Sequence, residues 1–259
     1  MIHKSSIVHN NSKISSDVEI GPFCSIGKNV NIGEKCKLHS HINIQGDVTI
    51  GPNTEIFPFA SIGSVPQDLK YKGEETKVII GSSCKIREYV TINKGTTGGG
   101  SKTMIGNNCL MMIGTHIAHD CVIGNNVIFA NHSTLAGHVI LKDNVVVGAL
   151  SAIHQFSKIG EGAMIGGMSG VTADVVPYST VVGNRAKLSG LNILGLKRRN
   201  IKKKEISELR KVYRYIFHNS KDTLRDRVIY MKKKKFKEQT IQVFLDFLSE
   251  DSDRSFTLP

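Results

Sequence analysis

The chain has 259 residues, a formal net charge of +12, no tryptophan, 25 glycines and only 6% aromatic residues. This length permits one elongated domain or two compact ones, and the scarcity of aromatic residues predicts a core of small branched side chains. The first residues form no apolar segment, and no stretch approaches the roughly 18 apolar residues of a membrane span. We therefore expect a soluble, cytoplasmic protein with neither a secretory signal nor a membrane span.

The positive charge is concentrated towards the C-terminus. Residues 196–259 contain 18 Lys and Arg against 9 Asp and Glu, a net charge of +9. Such a surface favours an acidic partner, and charge alone leaves nucleotide phosphates, an acidic carrier protein, nucleic acid and an anionic membrane surface open. A solvated helical face without a partner is the alternative interpretation.

A six-residue period dominates the chain from Ile2 to Val171. Twenty-six apolar residues, which we call anchors, follow this period with two interruptions, and 11 of them are followed directly by Gly. Neither a helix period of about 3.6 residues nor simple alternation produces this pattern. The fourth residue after each anchor is small or branched, so we expect a second inward position there. It includes all the cysteines, which we interpret as buried filler and not as disulfide or zinc ligands: Cys24, Cys36, Cys84, Cys109 and Cys121.

Six-residue units with an inward anchor and a Gly-rich corner predict a triangular parallel β-helix of three units, or 18 residues, per coil. The pattern resembles the hexapeptide-repeat acyltransferase superfamily, and this resemblance implies a left-handed coil and a trimer. We therefore predict an all-β left-handed parallel β-helix over residues 1–189, with loops near 64–77 and 94–103. Helical spacing of apolar residues predicts a C-terminal α-helical domain over residues 190–259, which would close the end of the β-helix.

The repeat also places polar residues in a column along one edge. His119, Gly137 and Gln155 are separated by 18-residue steps, as are Asp120 and His138, so each set should stack about 4.8 Å apart. A histidine beside a carboxylate is suited to act as a general base, and a glycine N–H can stabilise a developing oxyanion. No Ser or Cys has a nucleophile's setting, which favours direct attack by an acceptor hydroxyl. The spacing alone leaves acyl transfer, a metal site and a non-catalytic polar ladder open.

Five sequence runs, in the same order along the whole chain, resemble the UDP-N-acetylglucosamine O-acyltransferase family of lipid A biosynthesis. They are QDLKY (67–71), GTHIAHDC (114–121), LAGH (135–138), IHQF (153–156) and GLKRR (195–199). The resemblance implies transfer of an (R)-3-hydroxyacyl chain to the 3-position of UDP-N-acetylglucosamine, the first step of that pathway. The donor would be the 4'-phosphopantetheine thioester of acyl carrier protein, without a resident cofactor, a metal or a nucleic acid partner.

The same resemblance implies the roles of individual residues. His119 would be the general base, Asp120 would support it, and the Gly137 N–H would stabilise the oxyanion. The residues expected to line a substrate cleft between subunits are Gln67, Asp68, Lys70, Asn93, His116, His138, His154 and Gln155. Those expected at the nucleotide end are Asn192, Arg198 and Arg199. Gly167 aligns with a residue that measures acyl length, although it can also be interpreted as a glycine that only permits a corner turn.

Two positions depart from the family pattern. Asn93 stands where a histidine is frequent, which leaves open whether the acceptor carries a 3-hydroxyl or a 3-amino group. Leu194 stands where a carboxylate often helps to hold the nucleotide. A related N-acyltransferase of the same pathway is one alternative, but it carries an extra N-terminal domain, whereas the repeat here begins at Ile2. A metal-binding, carbonic-anhydrase-like protein or a non-catalytic β-helix protein is the alternative of another class.

Overall fold

A computed structural model describes residues 1–218, 222–250, 252 and 254–259, so residues 219–221, 251 and 253 of the predicted helical domain lie outside the described residues. Up to residue 191 the chain is a succession of short strands separated by corners. In chain order the strands are β1 Ile7–Val8, β2 Lys13–Ile14, β3 Glu19–Ile20, β4 Ser25–Ile26, β5 Val30–Ile32, β6 Lys37–Leu38, β7 Asn43–Ile44, β8 Asp47–Ile50, β9 Glu55–Ile56, β10 Ser61–Ser64, β11 Lys77–Ile80, β12 Lys85–Ile86, β13 Thr91–Asn93, β14 Lys102–Ile105, β15 Leu110–Met111, β16 His116–Ile117, β17 Val122–Ile123, β18 Ile128–Phe129, β19 Thr134–Leu135, β20 Ile140–Leu141, β21 Val146–Val147, β22 Ala152–Ile153, β23 Lys158–Ile159, β24 Met164–Ile165, β25 Gly170–Val171, β26 Ser179–Val182 and β27 Lys187–Leu191.

Every third strand joins the same sheet, which gives the three faces of a prism. The first face contains nine strands from β1 to β25, the second eight strands from β2 to β23, and the third ten strands from β3 to β27. Neighbouring strands are parallel, and the final pair, β26 and β27, is antiparallel. Each strand thus pairs with the coils before and after it, which satisfies its backbone hydrogen-bonding groups.

The anchors form the core of this prism. From Ile20 to Val171 each anchor is at most 3% exposed, whereas Ile2, in the first coil, is 47% exposed because no earlier coil covers it. The fourth residue after each anchor is also buried, and all five cysteines are buried and free of disulfides. The predicted inward positions and the filler role of the cysteines are therefore confirmed.

Both interruptions of the period are loops expelled between consecutive strands. Residues 65–76 leave the coil after β10, and Ile62 consequently pairs with Ile92, 30 residues further on, instead of 18. Residues 94–101, which include a 3-10 helix at Thr97–Gly99, leave it after β13, and Thr91 pairs with His116, 25 residues further on. The six-residue register of the anchors resumes after each loop because only whole strands stack.

The C-terminal part is helical, with α1 Ile193–Arg198, α2 Lys203–His218, α3 Leu224–Lys232 and α4 Gln239–Phe247. Their buried apolar residues belong to the same cluster as the last coils of the β-helix. The final residues return to the prism, where the Asp174 N–H donates to Ser255 and the Leu188 N–H donates to Leu258. Within the residues described, none of the helices has the length and apolarity needed to cross a bilayer.

Candidate active site

The predicted polar column lies at the corner that follows the nine-stranded face. The third residue of this corner adopts left-handed backbone geometry in successive coils, with φ of 60° at Asp120, 62° at His138 and 65° at Phe156. Asp and His tolerate this region better than most residues other than glycine. Backbone bonds join the coils here, since the His138 N–H donates to His119 and the Phe156 N–H donates to Gly137.

His119 and Asp120 form a hydrogen-bonded pair. Nδ1 of His119 lies 2.8 Å from Oδ2 of Asp120, and the two side chains are 13% and 0% exposed. An ionised carboxylate only accepts hydrogen bonds, so Nδ1 carries the proton and donates. The other ring nitrogen, Nε2, is therefore left with its lone pair available to a substrate.

Gly137 lies directly against the His119 ring. A Cβ atom on Gly137 would be 2.5 Å from Cε1 and 2.7 Å from Nε2 of His119, so only glycine fits beneath the imidazole. No described residue accepts a hydrogen bond from the Gly137 N–H. The corner thus places an available N–H donor beside the available nitrogen of His119.

Two further histidines surround the pair, and burial makes both harder to protonate. Burial lowers the pKa of His116, the charge of His119 lowers it further, and Nδ1 of His116 lies 2.7 Å from the Thr91 hydroxyl. Burial also lowers the pKa of His138, whose ring stacks on Phe156 at 4.5 Å and whose Nε2 lies 3.9 Å from Asp120. Both are expected to be neutral near pH 7 and able to exchange hydrogen bonds with a ligand.

Loop residues 65–76 bring more of the predicted residues to this corner. Asp68 acts to raise, and Lys70 to lower, the pKa of His138, which places both charges within electrostatic range of that ring. Gln67 and Lys70 are exposed. Asn93 holds the base of the loop, because its Nδ2 donates to the Val65 carbonyl at 3.1 Å, and it is itself 4% exposed.

The remaining predicted residues lie elsewhere on the prism. His154 and Gln155 occupy the next coil of the same corner, where Nη2 of Arg254 lies 3.0 Å from Nδ1 of His154. Gly167 is exposed and follows β24, so it lies on a different corner from His119. Its φ is not in the left-handed region, and a Cβ there would contact only Ala149 at 3.4 Å or more.

The nucleotide-end residues lie where the helices meet the prism. Asn192 caps α1, accepting from the Gly195 N–H at 2.9 Å and donating to the Gly162 carbonyl at 3.1 Å. Arg199 donates to Glu161 at 3.0 Å and lies over the Tyr178 ring. Arg198 is exposed and is the one of the three that has no protein contact described. Only Arg198 is thus available to a ligand without giving up an internal contact.

Several residues of the site were not predicted from the sequence. Thr96 bonds to the Asp120 carboxylate, Phe156 stacks on His138, and Arg254 reaches His154 from the C-terminal residues. The 18-residue step from His138 could have identified Phe156. Thr96 lies in an expelled loop and Arg254 beyond the last helix, where the repeat carries no positional information.

The metal interpretation can be compared with this geometry. His119, Asp120 and His138 offer three ligand atoms within 4.8 Å of one another. However, the Asp120 carboxylate already accepts three hydrogen bonds, two from Thr96 and one from His119. A metal ion would have to displace some of these donors, so the arrangement favours a carboxylate that orients an imidazole over one that ligates a cation.

Comparison with known proteins identifies relatives along the full chain. Models described as "Udp N-acetylglucosamine O-acyltransferase; Domain 2" and "Bacterial transferase hexapeptide (six repeats)" match residues 174–257 and 102–137. The acyl-[acyl-carrier-protein]–UDP-N-acetylglucosamine O-acyltransferase of Rhizobium rhizogenes is 42% identical over 258 residues, covering 100% of this chain and 95% of that protein. The UDP-N-acetylglucosamine acyltransferase structure from Campylobacter jejuni is 36% identical with a TM-score of 0.95, covering 100% of both chains. That from Francisella novicida is 35% identical with a TM-score of 0.96, covering 100% of this chain and 94% of the other. These likenesses confirm the predicted left-handed β-helix with C-terminal helices.

We expect the imidazoles of His116 and His138, followed by NMR, to titrate below the ordinary value of about 6.5. Phe156→Ala exposes the ring of His138 to water, so the pKa of His138 should rise while that of His116 stays unchanged. Because both pKa values are lowered on folding, the free energy of unfolding should decrease as pH falls from about 6.5 to the folded-state values. An unchanged His138 midpoint in the Phe156 variant would contradict burial as the cause.

Proposed function

This chain belongs to the acyl-[acyl-carrier-protein]–UDP-N-acetylglucosamine O-acyltransferase family, and we propose that His119 is the general base of that reaction. The observation that carries this proposal is the bond from His119 Nδ1 to the buried Asp120 carboxylate at 2.8 Å. It fixes the tautomer in which Nε2 accepts a proton and stabilises the imidazolium that forms. The substrate classes are those of the family: an acyl thioester on acyl carrier protein and a UDP-sugar.

In the proposed mechanism the acyl chain passes directly from donor to acceptor. His119 Nε2 removes the proton from the 3-hydroxyl of the sugar while that oxygen attacks the thioester carbonyl carbon. The tetrahedral intermediate then collapses, the carbon–sulfur bond breaks, and the imidazolium returns the proton to the departing phosphopantetheine sulfur. The products are the 3-O-acyl sugar nucleotide and the free thiol of the carrier, so no cofactor is consumed.

The Gly137 N–H is proposed to stabilise the negative oxygen of this intermediate. It has no acceptor among the described residues and lies beside the ring nitrogen that takes the proton. A donor that is already oriented towards the developing charge needs no rearrangement during the reaction. The same contact requires glycine, because any Cβ would displace the imidazole.

Substrate binding is proposed for the residues around this pair. His116 and His138, neutral because they are buried, can donate and accept hydrogen bonds to the sugar, and Asp68 and Lys70 add charges from the loop. Gln67, His154 and Gln155 are exposed on the same loop and corner. Asn93 and Asn192 would contribute mainly by holding the backbone of the loop and of α1, since their amides are used internally.

A homotrimer in the cytoplasm is also proposed. One corner of the prism carries a ladder of rings from Phe23, His41, Phe59 and Tyr89, with centroids 5.0 to 5.1 Å apart, and the Phe and Tyr rings are about half exposed or more. Leu69 of the loop is fully exposed as well. Apolar surface of this kind is usually covered by another protein surface. A second copy would also enclose the otherwise open substrate cleft, and the basic C-terminal region would face the acidic carrier.

His119→Ala tests the proposed function directly. We expect kcat to fall by about 10²–10⁴ because a general base is lost, with the circular dichroism spectrum and melting temperature retained, since the corner is not part of the core. The assay uses acyl carrier protein thioesters and UDP-N-acetylglucosamine, with its 3-amino analogue as a second acceptor.

The matched control is His9→Ala, which removes an exposed corner histidine from the first coil. Its activity should equal that of the wild type. Retention of more than about a tenth of kcat in the His119 variant would contradict the assignment. Loss of wild-type activity on dialysis against a chelator would favour the metal interpretation instead.

Arg198→Glu should raise the KM for the nucleotide sugar by about tenfold or more while kcat changes little, because a charge-assisted contact to phosphate is replaced by repulsion. Lys197→Glu, in the same turn of α1 and equally exposed, makes the same change in charge and is the control. Equal KM values in the two variants would show a general field effect and no specific contact. Arg199 is unsuitable for this comparison because its reversal also breaks the ion pair with Glu161.

Gly167→Met tests whether this residue limits acyl length. The backbone does not require glycine here, and the space beside Ala149 admits a side chain, so the variant should fold normally. If the groove passes Gly167, a long side chain shortens it and preference shifts towards shorter acyl donors, each excluded CH₂ costing roughly 0.8 kcal/mol. Kinetics with a series of donor lengths give the result, with Gly167→Ala as the smaller step. An equal loss on all donors would place the limit elsewhere.

A further inference from the structure

The loop that leaves the coil after β13 folds over the Asp120 carboxylate. The Thr96 N–H donates to Oδ1 of Asp120 at 2.9 Å, and the Thr96 hydroxyl donates to Oδ2 at 2.6 Å. Both residues are buried, at 7% and 4% exposure. A single loop residue thus supplies a donor to each oxygen of the carboxylate that orients His119.

The fit around this carboxylate leaves no spare room. A Cβ on Gly99, in the 3-10 helix of the loop, would overlap the Asp120 carboxylate. On the opposite side the Asp120 N–H donates to the Thr103 hydroxyl at 2.9 Å, just inside β14. The carboxylate is therefore fixed from both ends of the loop, and its rotation would break several bonds at once.

Oδ2 of Asp120 is shared between two donors. It accepts from the Thr96 hydroxyl at 2.6 Å and from His119 Nδ1 at 2.8 Å. Each donor compensates part of the same negative charge, so the strength of one bond depends on the presence of the other. The Thr96 hydroxyl thereby tempers how strongly the carboxylate attracts the imidazolium form of His119.

We propose that Thr96 is a positioning residue of the reaction, acting on His119 through Asp120. The inference rests on the proposed function, in which His119 is the general base. The loop is expelled from the repeat, yet its buried threonine completes the network that sets the tautomer and orientation of the base. Catalysis in this chain thus depends on a chain of three groups, the Thr96 hydroxyl, the Asp120 carboxylate and the His119 imidazole.

Thr96→Val removes the hydroxyl and keeps the shape of the side chain. We expect kcat to fall roughly tenfold, the effect of losing one charge-assisted bond, with the KM for the nucleotide sugar unchanged. The acidic limb of the pH profile of kcat/KM should move to higher pH, because a less compensated carboxylate holds the imidazolium more strongly. Thr96→Ser keeps the hydroxyl and should restore both the rate and the limb.

The other charges near the base remain in place in this variant. His116 and His138 lie beside His119, and Asp68 and Lys70 act on His138. Since none of them contacts Thr96, a shift of the limb reports the lost donor. Thr97→Val is the matched control, because this neighbouring hydroxyl is exposed and interacts with Glu74. It should retain the wild-type rate and pH profile.

A wild-type rate and acidic limb in Thr96→Val would overturn the inference, as would an identical effect of Thr97→Val or a failure of Thr96→Ser to restore the profile. If the valine variant does not fold, Thr96→Ala carries the same test without a branched side chain. His119→Ala in the same series separates the two proposals. If it stays active, the proposed function fails, whereas if it is inactive and Thr96→Val behaves as wild type, only this inference fails.

Discussion

The hydrogen bonding of each coil to the next is the constraint on which the rest of this structure depends. Strands of the three faces pair in register with strands one coil away, so residues at equivalent positions must stack. Inside the prism this stacking produces the continuous core of anchors. At the corner beyond the nine-stranded face it produces the column of His119, Gly137 and Gln155. Core and site thus follow from one backbone geometry.

The site combines this regular scaffold with irregular segments that control its electrostatics. The β-helix positions the His119 ring against Gly137, and both are held by backbone bonds between coils. The expelled loop over Asp120 then removes the carboxylate from water, where its bond to His119 is stronger. Position therefore comes from the repeat, and the polarity of the site comes from what covers it.

The sequence was sufficient to predict the parts of the molecule that repeat. The six-residue period predicted the prism, its inward positions and the helical C-terminal region, and the 18-residue step predicted that His119, Asp120 and Gly137 would meet. The contacts of the loops could not be predicted, because nothing in an aperiodic segment specifies which coil it will cover. For the same reason the internal bonds of Asn93, Asn192 and Arg199 became visible only in the structure.

The way in which the two loops leave the coil restricts how a protein of this kind can change its length. Residues 65–76 and 94–101 are looped out, so the strands on either side keep their faces. Removal of one six-residue unit between β16 and β19 would instead advance every later strand by one face of the prism. Gly137 and His138 would then lie on another edge, separated from His119. Gains and losses of sequence within the catalytic coils are thus compatible with the site only as looped-out segments or as complete turns.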